Sequence, residues 1–377
     1  MTLPAIACLF GLFAFAAETA ADTGLPRSTP EAQGISSTAI MEFIAQTEAK
    51  IDALHSFMLV RHGQVIAEGW WAPYVADKTH EINSITKSFT STVVGLAIAE
   101  HKLNLDDPVL KFFPDEAPEY PGKDLKSMTV RHLLRMSTGH DPKDVDAAFF
   151  RVWPMPEPDL IRKFFAMPIK RKPGTGFVYD SVGSHVLSAI VEKATGLTVR
   201  EYLRSRLFAP LGIVNLQWDE SAQGIPYGGF GLHLHTEDIA KFGQLHLQMG
   251  RWHDQELIPP SWVKEATSKQ NDTQTTPAGE ANDGNQGYGY QFWLCRHGFY
   301  RGDGAFGQLC IVMPKFDAVL VITANTQNTG SVMQLVWDTI VPAFNDASLP
   351  ANPAAAAKLA ANSKKLKLVH DNKPDGN

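Results

Sequence analysis

The sequence predicts an α+β protein whose sheet is built from both ends of the chain. Strand-like apolar runs occupy residues 56–70 and return from Tyr288 onward, whereas residues 104–215 carry mainly helix signals and loops. Strands near both ends with helices between them suggest one α/β unit into which a helical region is inserted. Composition agrees: 44% hydrophobic and 20% charged residues suit a packed core and exclude wholesale disorder. At 377 residues, length alone allows two to three domains, or one large core with an inserted subdomain.

The elements follow in order. Residues 1–21 hold an apolar run from Leu3 to Ala17 followed by small residues, the pattern of a cleaved export leader, although no Lys or Arg precedes the run. About 15 apolar residues are short for a membrane span. The expected product is therefore exported, periplasmic or extracellular, with no stable membrane anchor after cleavage. Residues 56–70 read as a hairpin, with apolar strands on either side of His62-Gly63-Gln64. From Ser84 to about His101, Ile85, Phe89, Val93, Leu96 and Ala97 recur at helical spacing. Thr129 is a plausible helix cap, Ser184–Thr195 forms a helix closed by Gly196, and Val199–Phe208 forms another. Tyr288–Cys295, Phe299–Gly302, Gly307–Met313 and Ala318–Ala324 read as strands, and Ser331–Phe344 as an amphipathic helix. The last stretch, 346–377, is rich in Ala, Lys and Asn, has no aromatic anchor, and reads as a disordered tail. The expected organisation is a leader (1–21), one catalytic domain (22–345) and the tail. Within the domain the α/β part covers about 22–103 and 216–345, and the helical region about 104–215.

Charge and cysteine count remove several function classes. With 34 Lys+Arg against 40 Asp+Glu the net charge is −6, not the basic footprint of a nucleic-acid binder. Three cysteines exclude a disulfide scaffold and a four-cysteine zinc module. Cys8 falls in the leader, leaving Cys295 and Cys310 in neighbouring strands, either bridged or as two buried thiols. His233-Leu234-His235 invites a metal reading, but no further ligand cluster lies at suitable spacing, and Thr236-Glu237-Asp238 looks like a helix N-terminus. No metal and no cofactor are expected.

The chemistry concentrates in three places. Ser84-Ile85-Thr86-Lys87 is an S-x-x-K pattern opening a helix, so Ser and Lys share a helix face. The helix N-terminus and burial both lower a lysine pKa, and a neutral amine can take the serine proton to make a nucleophile. The pattern alone is weak, because Ser261-Trp262-Val263-Lys264 also fits, although Ser261 after two prolines reads better as an N-cap. Tyr179-Asp180-Ser181 offers a phenol that can relay a proton, or simply a half-buried aromatic at a helix start. Gly302-Asp303-Gly304-Ala305-Phe306-Gly307-Gln308 enters a strand and can present an N–H to an oxyanion, or merely turn the chain. There is no G-x-S-x-G elbow and no phosphate-binding loop.

Together these residues resemble the serine β-lactamase-like group: class C β-lactamases, D,D-peptidases, family VIII esterases and 6-aminohexanoate-dimer hydrolases. The resemblance spans about residues 25–345. It also includes His132–Gly139, Phe177-Val178-Tyr179 running into the helix ending at Gly196, and Gly287–Trp293. It implies a transpeptidase-like fold, an antiparallel sheet flanked by helices with a mostly helical insertion. It further implies Ser84 as acylated nucleophile, Lys87 as its base, Tyr179 as proton relay, and the backbone N–H groups of Ser84 and Ala305 as oxyanion hole. Ser181, Asp303 and Gly304 would then face a small ester or amide substrate.

Two departures bear on substrate. The group's Tyr-x-Asn reads Tyr179-Asp180-Ser181, and its Lys-Thr-Gly reads Gly302-Asp303-Gly304. The cation that would engage a β-lactam carboxylate is missing, and Arg301, one residue away along a strand, points to the other face. Esters, or amides without that carboxylate, are the expected substrates. β-Lactamase or D,D-peptidase activity is the alternative, and a catalytically silent binding protein is the alternative of another class. The cluster Trp70-Trp71-Ala72-Pro73-Tyr74 reads as an acyl pocket or as core.

Overall fold

The computed structural model describes residues 24–152, 159–273 and 282–368. The expected leader lies outside them. No helix among the described residues is long and apolar enough to cross a membrane.

The elements that frame the site are α1 (Ser37–Lys50), the hairpin β1 (Leu54–Arg61) and β2 (Gln64–Trp70), α2 (Thr86–Ala99), α3 (Ser181–Thr195) and α4 (Thr236–Leu247). Strands β3 (Trp293–Leu294), β4 (Tyr300–Gly304), β5 (Gln308–Met313) and β6 (Ala318–Ala324) follow, then α5 (Thr329–Leu335) and α6 (Pro353–Ser363). The six strands form one antiparallel sheet in the order β2-β1-β6-β5-β4-β3. The two ends of the chain meet at β1 and β6, where Phe57 pairs with Ile322 and Leu59 with Leu320. This is the α+β architecture the sequence predicts.

Alternation along the strands splits the core in two. Met58, Val60, Cys310, Val312, Val319 and Val321 face α2, α4 and the helical region. Phe57, Leu59, Leu309, Ile311, Leu320 and Ile322 face α1 and α5. A period of two sends successive side chains to opposite faces, and here both faces are covered, so β1 and β6 are buried throughout. Cys310 and Cys295 belong to these opposite layers and are separate buried thiols, so they are not bridged.

Several boundaries differ from expectation. The Tyr288–Cys295 run holds only two ladder residues, Trp293 and Leu294, because Gly287 and Gln291 take positive φ (115° and 64°) and break the extended chain before them. Ser261 lies in the first turn of a helix beginning at Pro260, not at its cap. α4 does begin at Thr236, with His235 at the N-cap and the Asp238 carboxylate accepting from His235 N–H.

The largest correction concerns the tail. Residues 346–368 are ordered; 369–377 lie outside the described residues. Asn352 caps α6, and Leu359 and Leu366, 4% and 7% exposed, are driven into the α1/β2 face. The chain then runs beside Ala72, whose N–H donates to the Leu366 carbonyl and whose carbonyl accepts from Leu368 N–H. Two buried leucines replace the aromatic anchor that the sequence lacks. Leu359→Ala should cost about 2–4 kcal/mol in urea unfolding; a loss under about 0.5 kcal/mol would mean the helix is not seated.

Candidate active site

Ser84 sits in a single 3-10 turn (Asn83–Ile85) that feeds directly into α2. Asn83 takes a left-handed conformation (φ 48°), and its carbonyl accepts from the Thr86 hydroxyl at 2.6 Å. One turn on, Lys87 points back at Ser84, as i, i+3 spacing requires. Its Nζ lies 2.9 Å from Ser84 Oγ, 2.9 Å from Ser181 Oγ and 2.8 Å from the Gly229 carbonyl. Lys87 is 1% exposed, and burial draws its amine down to about 7, against an upward pull from the Asp180 carboxylate.

Three neighbours suit a neutral amine. It donates two N–H bonds, and Gly229 carbonyl can only accept, which leaves a lone pair for the proton of Ser84. Ser181, expected to face substrate, accepts a hydrogen bond from Lys87 Nζ through its Oγ. Ser181→Ala removes one partner of a group that alternates between charged and neutral forms. At about 1.5 kcal/mol for a bond to a charged group, kcat/KM should fall about tenfold with an unchanged labelling endpoint; an unchanged rate would show that Lys87 is held without it.

Gly229 belongs to the stretch Tyr227–Gly231, which sequence reasoning missed. A Cβ on Gly228 would lie 2.0 Å from the Ser184 carbonyl, and one on Gly229 would lie 2.8 Å from the Ser181 carbonyl and 3.3 Å from Lys87 Nζ. Only glycine lets this segment press between α2 and α3. Thr90 Oγ donates to the Gly228 carbonyl, and Leu232 N–H donates to Thr86 Oγ, which laces it to the first turns of α2. Three glycines in four residues were the available signal.

Tyr179 arrives just before α3, whose N-cap is Asp180. Its ring stacks on Trp293 at 5.6 Å, with Tyr288 edge-on at 6.3 Å, and Lys87 Nζ lies 4.7 Å over its face. Burial holds its hydroxyl above the ordinary tyrosine pKa. Asp180 is 1% exposed, accepts from Gly183 N–H at 2.7 Å and is pushed up to about 6 by burial. Behind α2 and α3, Gln291 ties the elements together: it accepts from Ser184 Oγ at 2.8 Å, donates to Leu133 and Leu134 carbonyls, and its own carbonyl accepts from Ser88 Oγ.

The third group closes the site from β4. A Cβ on Gly302 would meet Ile85 and Ser88 at 3.1 and 3.3 Å, and one on Gly304 would lie 2.5 Å from the Ile82 carbonyl. Gly304 therefore serves close approach of β4 to the Ser84 turn. Ala305 follows, exposed at the strand end, and the Asn83 amide donates to its carbonyl at 3.1 Å. Arg301 and Asp303 share the opposite face of the strand and form an ion pair at 2.7 Å, so the Asp303 charge is balanced by a buried guanidinium. Arg301 also donates to the Leu294 carbonyl and Cys295 Sγ.

Two sequence candidates fall away from this centre. Trp71 is core, its indole bonded to Glu48, and Trp70 and Tyr74 line a groove between β2 and α6 that Ser84 does not line. His233 faces Asp219 at 3.3 Å while His235 caps α4, so the H-x-H pair is divided between two structural roles.

The comparisons with known proteins agree with this assembly. The Beta-lactamase family model matches residues 48–343. The chain is 27% identical over 285 residues to the 6-aminohexanoate-dimer hydrolase of Paenarthrobacter ureafaciens, covering 71% of each chain. It is also 27% identical over 173 residues to the lovastatin esterase of Penicillium rubens, covering 41% of this chain and 43% of that protein. The solved penicillin-binding protein homologue from Pyrococcus abyssi superposes with a TM-score of 0.63 at 21% identity, over 83% of this chain and 78% of that one, a likeness of fold. With its sheet, its inserted helices and a family match that runs from the end of α1 past α5, the chain belongs to the Beta-lactamase family and is a serine hydrolase.

Proposed function

We propose that Ser84, Lys87 and Tyr179 form an acyl-enzyme with small esters, or with amides that lack a carboxylate beside the scissile bond. The observation that carries this reading is the Lys87 amine, buried, drawn toward neutrality and 2.9 Å from Ser84 Oγ. Lys87 takes the Ser84 proton as Oγ bonds to the substrate carbonyl carbon. The oxyanion is met by the N–H groups of Ser84 and Ala305. As the tetrahedral species collapses, Tyr179 passes a proton to the departing oxygen or nitrogen, and that bond breaks. Water then adds to the acyl group, its proton taken by the Lys87/Tyr179 pair, and Ser84 is released protonated. Burial keeps Tyr179 in its neutral, proton-donating form.

The preference against a carboxylate rests on β4. Gly302 supplies no cation, and its close contact with Ile85 and Ser88 leaves little room for one. Arg301 is 4% exposed and paired with Asp303, so it is not offered to a ligand carboxylate. The test is a panel of p-nitrophenyl esters of increasing acyl length, aminohexanoate amides, D-alanyl amides and nitrocefin. Ester or simple amide turnover at least about 100-fold faster than nitrocefin is expected, and rapid nitrocefin hydrolysis would overturn the substrate assignment.

A further inference from the structure

The geometry points to Asn83 as a positioning residue that sets the oxyanion hole by tying the Ser84 turn to Ala305. The inference rests on the acyl-enzyme reading above and adds to it a residue that touches neither substrate nor the reacting atoms. Asn83 controls both sides of the hole. On one side, its carbonyl accepts from the Thr86 hydroxyl at 2.6 Å and from Thr86 N–H, which turns the Asn83–Ser84 peptide carbonyl into α2. In a planar trans peptide the N–H points opposite to the carbonyl, so Ser84 N–H faces away from the helix and into the cleft. On the other side, the Asn83 carboxamide donates to the Ala305 carbonyl at 3.1 Å.

Ala305 needs this restraint. It begins a distorted turn in which Phe306 and Gly307 both have positive φ, 64° and 86°. A second carboxamide, buried Gln308, holds the same Ala305 carbonyl at 3.1 Å from behind and also grips the Ala324 backbone in β6. Ala305 is thus clamped between the sheet and the nucleophile turn, and Asn83 is the clamp on the nucleophile side. The residue type fits the place: the left-handed conformation at φ 48° favours Asn among non-glycine residues, and Asn brings a carboxamide N–H donor that Asp lacks.

An oxyanion forms twice per turnover, in acylation and again in deacylation, whereas Ser84 acts as nucleophile only in the first. A residue that sets the hole must therefore change both rates by a similar factor. Asn83→Gly keeps the left-handed backbone and removes the amide; Asn83→Asp keeps the shape and replaces the donor with an acceptor facing the Ala305 carbonyl. For Asn83→Gly, the acylation rate (fluorophosphonate labelling and pre-steady-state p-nitrophenyl acetate burst) and the deacylation rate (decay of the acyl-enzyme) should each fall about tenfold. That is less than the loss of a whole oxyanion donor. Non-covalent binding of a product acid and the melting temperature should stay unchanged. Asn83→Asp should be slower in both steps. A loss confined to acylation would overturn the inference and make Asn83 an orienter of Ser84, and no loss in either step would overturn it outright. Equal labelling of Ser84→Ala and wild type would instead sink the acyl-enzyme reading beneath it.

Discussion

Ser84→Ala should abolish labelling by a fluorescent fluorophosphonate and lower ester turnover by at least about 10,000-fold, the scale on which removal of an activated serine acts. The substitution removes one oxygen from a site held by other contacts. Lys87 keeps Ser181 and the Gly229 carbonyl, Tyr179 keeps its stack on Trp293, and Asn83 still reaches Ala305. The fold should therefore survive, and the variant should melt within a few degrees of wild type. The contrast with Ser261→Ala is informative, because Ser261 opens the chain's other S-x-x-K but lies exposed in a short surface helix. Ser261→Ala should label and turn over as wild type does. If labelling persisted in Ser84→Ala at a wild-type rate, the nucleophile would lie elsewhere and the Ser84–Lys87 contact would be structural.

The contrast between the two S-x-x-K patterns also shows what the sequence can and cannot carry. Ser84–Lys87 was legible because its two residues are local: three positions apart on one helix, their contact follows from helix geometry alone. The strand segments β1 and β6 were legible because both faces are buried, so their centres, Phe57–Val60 and Ala318–Ile322, read as unbroken apolar runs. The third partner of Lys87 was not legible, since Gly229 arrives from 142 residues away as a backbone carbonyl, which has no side chain to mark it. The Ser181–Lys87 bond was not legible for a related reason: the position of Ser181 after Tyr179 was visible, but its direction depends on how α3 packs beside α2. Asp180 likewise passed unremarked between two residues that were noted, because an N-cap aspartate is common and only burial makes this one unusual. The tail failed differently. Its composition resembles disorder, and two leucines spaced seven residues apart carry too weak a periodic signal to predict docking on a face formed by α1 and β2.

The pH dependence of acylation separates the two candidate bases. Lys87 acts as base only when neutral, and burial places its amine at about 7. Below that pH the neutral fraction falls tenfold per unit, so kcat/KM for a neutral ester should rise with slope one from pH 5 and level off above about pH 7.5. Were a Tyr179 phenolate the base, the limb would lie above pH 10, because burial raises that hydroxyl above its ordinary value. The charged and titratable groups nearest Lys87 are the Asp180 carboxylate and the Tyr179 ring; its other neighbours are the neutral Ser84 and Ser181 hydroxyls and the Gly229 carbonyl. Asp180 pulls the lysine pKa upward, so removing its charge must move the limb to lower pH. Asp180→Asn is the clean probe, since Asn caps a helix as well as Asp and the bond from Gly183 N–H survives. Its profile should shift down while the plateau rate changes little. Lys87→Met should lose about 1,000-fold at pH 8, the middle of what a general base contributes, and should lose the limb near pH 7 as well. A limb that stayed near pH 7 in Lys87→Met would assign the titration to another group, with Asp180, pushed up to about 6, the first to examine.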